Sequence, residues 1–282
     1  GHQNRRGPLN SQPTPQDDAT RSGDPIVFTD LVKEFGEIRA VDGVSLSIPR
    51  GQICGYLGPN GAGKTTTVKM ATGMIRPTSG TAVIEGHDIA ESPLEAKRAI
   101  GVVPETAALY ENLTPREYLT LVGNLYHIDR DEAQEKGETF LRLFEIADSA
   151  DRLMTTFSRG MRQKILISAA LLHNPSVLFL DEPLAGLDAN TALVLKELIR
   201  SLAAQGRTVF YCSHVLEVVE KVCDRVVILV GGRIVADGRV DELKDLTHRG
   251  SLEGVFSELT STGDLAEVVR AFSRSVTGGG GG

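Results

Sequence analysis

Eight consecutive residues are suited to holding a polyphosphate. Gly58, Pro59, Asn60, Gly61, Ala62, Gly63, Lys64 and Thr65 fit the spacing G-x-x-x-x-G-K-[ST], and Thr66 follows. Small residues let the backbone curl its N–H groups around phosphate oxygens. Lys64 adds a mobile positive charge, and Thr65 offers a hydroxyl to a hard cation such as Mg²⁺. Much further along, the apolar run 177–180 ends in Asp181 and Glu182. A buried parallel strand delivers its last residues to the ligand edge of a sheet. There Asp181 would hold the cation through water, and Glu182 would polarise an attacking water. An apolar strand ending in two acids is common by itself. Downstream of a phosphate loop it points to cleavage of a nucleoside triphosphate.

These groups need elements to position them. An apolar stretch at 53–57 reads as the strand before the phosphate loop, and a helix starts near Lys64. Short β-branched or alternating segments at 26–33, 44–48, 52–57, 80–85 and 100–103 read as strands. Thr114, Pro115, Arg116 and Glu117 read as an N-cap, a first-turn proline and acidic charge opening a helix over 117–127. A second helix covers about 130–144. From Ser158 the chain alternates: helix 159–173, strand 176–181, helix 190–204, strand 207–212, helix 215–222. Strands 225–230 and 233–237 then form a hairpin around Gly231 and Gly232. The pattern predicts an α/β domain over 25–245 with a helical insertion at about 105–165. Residues 1–24 hold one large aliphatic residue, Leu9, and read as a flexible arm. Residues 246–282 read as a small mixed appendage with a short helix at 265–272 and a flexible glycine tail.

Composition narrows the function classes. The chain has 282 residues, with 30 Lys and Arg against 37 Asp and Glu, a net charge of −7. That balance argues against a protein that coats nucleic acid. No apolar run approaches the 18 or more residues needed to span a bilayer, and the N-terminus does not read as a secretory signal. Cys54, Cys212 and Cys223 form no C-x-x-C pair and suit reduced, buried thiols.

Phe157-Ser158-Arg159-Gly160-Met161-Arg162-Gln163, just before the helix that leads into the acidic strand, resembles in degenerate form the signature Leu-Ser-Gly-Gly-Gln of ABC ATPases. Ser158 and Gly160 match; Arg159 and Met161 depart from it. With the phosphate loop, Asp181-Glu182, Leu187-Asp188 and Ser213-His214 in the family's order, residues 26–245 resemble the ATPase subunit of an ABC transporter. The resemblance implies a P-loop NTPase core of the ABC type, an antiparallel β-subdomain and a helical insertion subdomain. It implies ATP and Mg²⁺ as ligands, with residues 58–66 on the phosphates and Thr65, Asp181 and Glu105 on the metal side. Glu182, His214 and Lys64 would carry catalysis, with His214 contacting the γ-phosphate. Phe35 lies where the family stacks an aromatic ring on adenine, and Asp188 where a loop links two ATP sites. Ser158 and Gly160 would meet the γ-phosphate of the ATP on a partner copy, because a helix N-terminus offers N–H groups to an anion. Read alone, Ser158 is a helix cap. Glu105 stands where the family has glutamine.

The resemblance also implies partners: a second ATPase subunit packed head to tail as a homodimer, and a separate transmembrane permease, with no nucleic acid. Such a subunit is cytoplasmic and peripheral on the inner face of the membrane. Segments 110–114, 158–162 and 251–260 resemble the ABC-2 exporter subgroup, so the cargo would move outward. A soluble ABC-type ATPase with no transport role is the alternative, and a general P-loop switch a more distant one.

Overall fold

Period-two alternation along the strands divides the protein into layers. The computed structural model describes residues 23–106, 109–247 and 251–260. β1 (Ile26–Phe35), β2 (Ile38–Ile48), β4 (Ser79–Ile84) and β5 (His87–Asp88) form an antiparallel sheet in the order β2-β1-β4-β5. β3 (Ile53–Leu57), β6 (Ile100–Val103), β7 (Val177–Asp181), β8 (Thr208–Cys212), β9 (Arg225–Val230) and β10 (Arg233–Arg239) form a second sheet, in the order β10-β9-β3-β8-β7-β6. Every pairing in it is parallel except β9 with β10.

On one face, Cys54, Tyr56, Phe179, Phe210, Val227 and Leu229 pack against Ile26, Phe28 and Leu46 of the antiparallel sheet. The helix α1 (Lys64–Ala71) and the short α2 (Pro93–Arg98) join this layer. On the other face, Ile53, Leu178, Leu180, Val209, Tyr211 and Ile228 meet helices. These are α5 (Arg159–Leu172), α6 (Ala189–Ala204) and α7 (Leu216–Val222). Alternate residues of one strand thus serve two cores, as a sheet buried on both faces requires.

The insertion carries α3 (Pro115–Leu125) and α4 (Arg130–Leu143). Thr114 caps α3 in a reciprocal capping box with Glu117. Leu119, Leu141, Met154, Phe157, Ile165 and Leu172 give it a core of its own, shared with α5. Among the described residues, no helix is long and apolar enough to cross a membrane.

The structure corrects three local expectations. β2 begins at Ile38, ahead of the expected 44. A bulge interrupts β2 at Asp42-Gly43: Leu31 pairs with Val44 and Lys33 with Val41, and Gly43 takes φ 69°. The expected 245/246 boundary falls inside one helix, α8 (Val240–Thr247). The expected mixed appendage is, over 251–260, α9 (Leu252–Thr260), whose buried Leu252 and Val255 join the core beside α7. The expected helix at 265–272, the glycine tail and residues 1–22 of the arm lie outside the described residues. All three cysteines are buried and unpaired, as expected.

Phe210 is the hub of the aromatic layer, with ring centroids 4.7 Å from Tyr56, 5.3 Å from Phe179 and 6.0 Å from Phe28. Phe210→Ala should lower the unfolding free energy by about 3–5 kcal/mol, read from the denaturant midpoint. Phe35→Ala, at a half-exposed position, should stay within about 0.5 kcal/mol of the parent. Equal stability of the two variants would remove the cluster from the core.

Candidate nucleotide site

Four parallel strands end on one edge, and each hands its next residues to the same place. β3 ends at Leu57 and leads into the phosphate loop. Two glycines in the loop are required sterically. A Cβ on Gly58 would lie 2.4 Å from the Leu229 carbonyl oxygen, and one on Gly63 would lie 2.4 Å from that of Ala40. Gly63 also takes φ 107° and stands as the N-cap of α1 without a side-chain cap. The first N–H groups of α1 are therefore left to an anion rather than to a serine or aspartate oxygen. Lys64 Nζ donates to the carbonyls of Gly58 (2.6 Å) and Pro59 (3.1 Å), so its ammonium is folded back across the loop. A glycine cradle, an uncapped helix start and a mobile cation fit a phosphate group.

The Thr65 hydroxyl donates to Asp181 Oδ2 at 3.2 Å, joining the start of α1 to the end of β7. Asp181 is 3% exposed. Burial pushes its carboxyl up to about 6, and the nearby charges of Glu105 and Glu182 add to the shift. Glu105 is exposed just beyond β6, close enough for Asp181 to feel its charge. Hydroxyl and carboxylate oxygens gathered beside a phosphate loop are the donor set of a small hard cation.

Glu182 adopts φ 50°, a left-handed conformation that few non-glycine residues take. Its N–H donates to the Cys212 carbonyl at 2.9 Å, which carries the turn across to β8. Its carboxylate accepts three bonds from the residues after β8: the Ser213 hydroxyl (3.1 Å), the His214 backbone N–H (2.7 Å) and His214 Nδ1 (2.6 Å). An ionised carboxylate only accepts, so Nδ1 carries the proton and Nε2 is the free edge of a largely exposed ring. The resemblance gave His214 the γ-phosphate; the structure places Nδ1 on the glutamate and leaves Nε2 for such a contact.

Ser158 and Gly160 lie apart from these groups. Among the described residues no hydrogen bond joins them to the phosphate loop, Asp181 or Glu182. Ser158 caps α5, its hydroxyl oxygen accepting from the Met161 N–H at 3.2 Å. A Cβ on Gly160 would lie 2.3 Å from the Gly186 carbonyl oxygen, so the start of α5 is pressed on the loop that follows Glu182. Two side chains of α5 hold that loop: Gln163 Nε2 donates to the Pro183 carbonyl at 3.0 Å, and Lys164 pairs with Asp188 at 3.2 Å. Asp188 caps α6 through the Thr191 N–H and hydroxyl, and these donors with Lys164 hold its carboxyl well below the usual range. Phe35 ends β1 half exposed, with the Lys33 ammonium 5.0 Å over its ring.

Sequence reasoning carried Gln163 only as the last residue of the signature segment, and gave no sign of its bond to Pro183 or of the contact between Gly160 and Gly186. Buried amides give no periodic signal, and a glycine next to a known motif is read as part of it.

The comparisons with known proteins agree with this geometry. A family model for ABC transporters matches residues 41–185. The daunorubicin/doxorubicin resistance ATP-binding protein DrrA of Streptomyces peucetius is 37% identical over 236 residues, which are 84% of this chain and 69% of that protein. The Nod factor export ATP-binding protein I of Burkholderia lata is 36% identical over 214 residues, 76% of this chain and 70% of that one. The solved structure of an ATP-binding subunit of an ABC transporter superposes with a TM-score of 0.80 at 33% identity, covering 84% of this chain and 99% of that chain. The matched family model and the extent of these likenesses show that the chain belongs to the ABC transporter family, as one of its ATP-binding subunits.

Proposed function

We propose that the chain binds ATP with Mg²⁺ along this sheet edge and hydrolyses it between two copies packed head to tail. The cycle would drive a separate permease, on the cytoplasmic face of the membrane, that exports its cargo. The observation that carries this reading is the convergence of an anion cradle, the Thr65–Asp181 pair and the triply bonded Glu182 at one edge. Export is supported by the relatives' names, one a drug-resistance and one a Nod factor export ATP-binding protein.

The chain's own groups divide the work. Lys64 leaves the carbonyls of Gly58 and Pro59 for the β- and γ-phosphates. The N–H groups of residues 63–66 take the remaining phosphate charge, and Phe35 stacks on the base. Thr65 and Asp181, with Glu105 beside them, would hold Mg²⁺, which when bound neutralises phosphate charge and acts as a Lewis acid. Asp181 must shed its proton for this, so metal uptake at this site releases a proton near pH 6 and below. Glu182 takes a proton from the attacking water, held in place by Ser213 and His214. Ser158 and Gly160 present the start of α5 to the partner copy's ATP. Copurification with a membrane permease tests the transport role, and cargo-stimulated ATPase activity tests the coupling. An active ATPase that associates with no permease would favour a non-transport role.

Lys64→Ala should weaken ATP binding and abolish turnover; calorimetry showing unchanged affinity, with normal turnover, would sink the loop assignment. Glu182→Gln should bind ATP yet hydrolyse it about 10²–10⁴-fold more slowly, because the amide keeps the shape and loses the proton acceptor. Light scattering should then find an ATP-dependent dimer. A monomer with ATP, or a parental rate, counts against the reading. Glu105→Ala should raise the Mg²⁺ concentration for half-maximal activity while Glu105→Gln stays active; parental Mg²⁺ dependence in both would remove Glu105 from the metal side.

A further inference from the structure

The turn between β9 and β10 lies against the phosphate loop. Gly231 and Gly232 take φ 56° and 79°, which lets the two strands turn tightly. The Gly232 N–H donates to the Ala62 carbonyl at 3.0 Å, and the Gly232 carbonyl accepts from the Asp42 N–H at 2.9 Å. One residue of the turn therefore bridges the phosphate loop and β2. The bridge is tight: a Cβ on Gly232 would lie 2.9 Å from the Ala40 oxygen, the atom that also crowds Gly63.

Charge fastens the bridge. Arg233 Nε and Nη2 both reach Asp42 Oδ2 at 2.5 Å. Asp42 Oδ1 accepts from Arg39 Nη1 at 2.9 Å, and Arg39 pairs onward with Glu34 at 2.7 Å. The Asp42 side chain is mostly buried, while Arg233 is largely exposed.

The peptide between Ala62 and Gly63 is trans, so its C=O and N–H point in opposite directions. Binding the Ala62 oxygen to the turn fixes the Gly63 N–H facing away from it. We propose that Asp42 and Arg233 are positioning residues for phosphate binding: they clamp the β9–β10 turn onto the phosphate loop, and the turn aims the Gly63 N–H at the nucleotide's phosphates. This rests on the loop binding ATP, and it assigns a task to a hairpin that the catalytic residues do not touch.

The test is nucleotide affinity in the full chain, with ATP and inorganic tripolyphosphate as probes. With Arg233 largely exposed, solvent screens its pair with Asp42, so Arg233→Gln and Asp42→Asn should each raise the Kd for ATP by only about two- to fivefold. The rate at saturating ATP should be unchanged. The double variant should be no worse than the weaker single one, and Arg233→Lys should recover part of the loss. Tripolyphosphate should weaken by the same factor, because the effect is on phosphate donors. Gly232→Ala should cost more, about tenfold or above, and Gly231→Asn, with open space at its Cβ, should bind as the parent does. Unchanged affinity in Arg233→Gln and Gly232→Ala overturns the proposal, as does weakening for ATP with none for tripolyphosphate. Loss of ATP binding in Lys64→Ala beside an unaffected Arg233→Gln removes only the clamp. An unaffected Lys64→Ala removes the reading on which it rests.

Discussion

The nucleotide site depends on one constraint, the parallel register of four strands. Tyr56 pairs with Cys212, Leu180 with Tyr211 and with Val103, and Asp181 with Cys212. β3, β8, β7 and β6 therefore stop level with one another. The phosphate loop, Ser213-His214, Asp181-Glu182 and Glu105 emerge side by side, although they are scattered through the chain. A slip of one residue in β7 would send Phe179 to the helical face and Leu180 to the aromatic face. It would also draw Asp181 away from Thr65. Burial on both faces is thus what sets the geometry of this edge: the same side chains that fill two cores fix which residue ends each strand.

The second determinant is close approach of backbones. Gly58 and Gly63 have no room for a Cβ because Leu229 and Ala40 lie against them. The phosphate loop is therefore shaped from outside, by β9 and β2, as well as by its own sequence. Gly160 follows the same logic elsewhere. Read from sequence it serves a phosphate of a partner's ATP; in the structure it first allows α5 to seat on Gly186. The two roles are compatible, since one small residue can bring a helix start close to a loop on one side and leave its N–H groups open on another.

Much of this was legible in the sequence because the signals are local. The loop spacing, the apolar strand ending in Asp181-Glu182, the α3 cap at Thr114 and the helix–strand alternation after Ser158 each depend on neighbours in sequence. What escaped depends on partners far away in the chain. The strand expected at 44–48 extends back to Ile38 because residues on both sides of the Asp42-Gly43 bulge pair with β1. α9 looks like an appendage until Leu252 and Val255 meet α7, and α8 runs through the expected boundary because its apolar residues face the core. Gln163 on Pro183 and Gly232 on Ala62 are single long-range hydrogen bonds with no composition or period to mark them.

Glu182 shows how such bonds fix one side chain precisely. Its left-handed backbone costs about 1–3 kcal/mol, and it persists because the surroundings over-determine it. One backbone bond goes to the end of β8, and three more fix the carboxylate from Ser213 and His214. The next residue, Pro183, is held by Gln163 of α5, and Gly186 lies under Gly160. Glu182 is therefore gripped from two directions, by the strand that carries His214 and, through its own loop, by the helix that carries Ser158. A shift of α5 reaches Pro183 through the buried amide of Gln163, and a shift at the end of β8 reaches the carboxylate directly. Glu182 is thus tied within one chain to the start of α5, and under the proposed function that tie would join the group facing the attacking water to the helix start offered to a second copy.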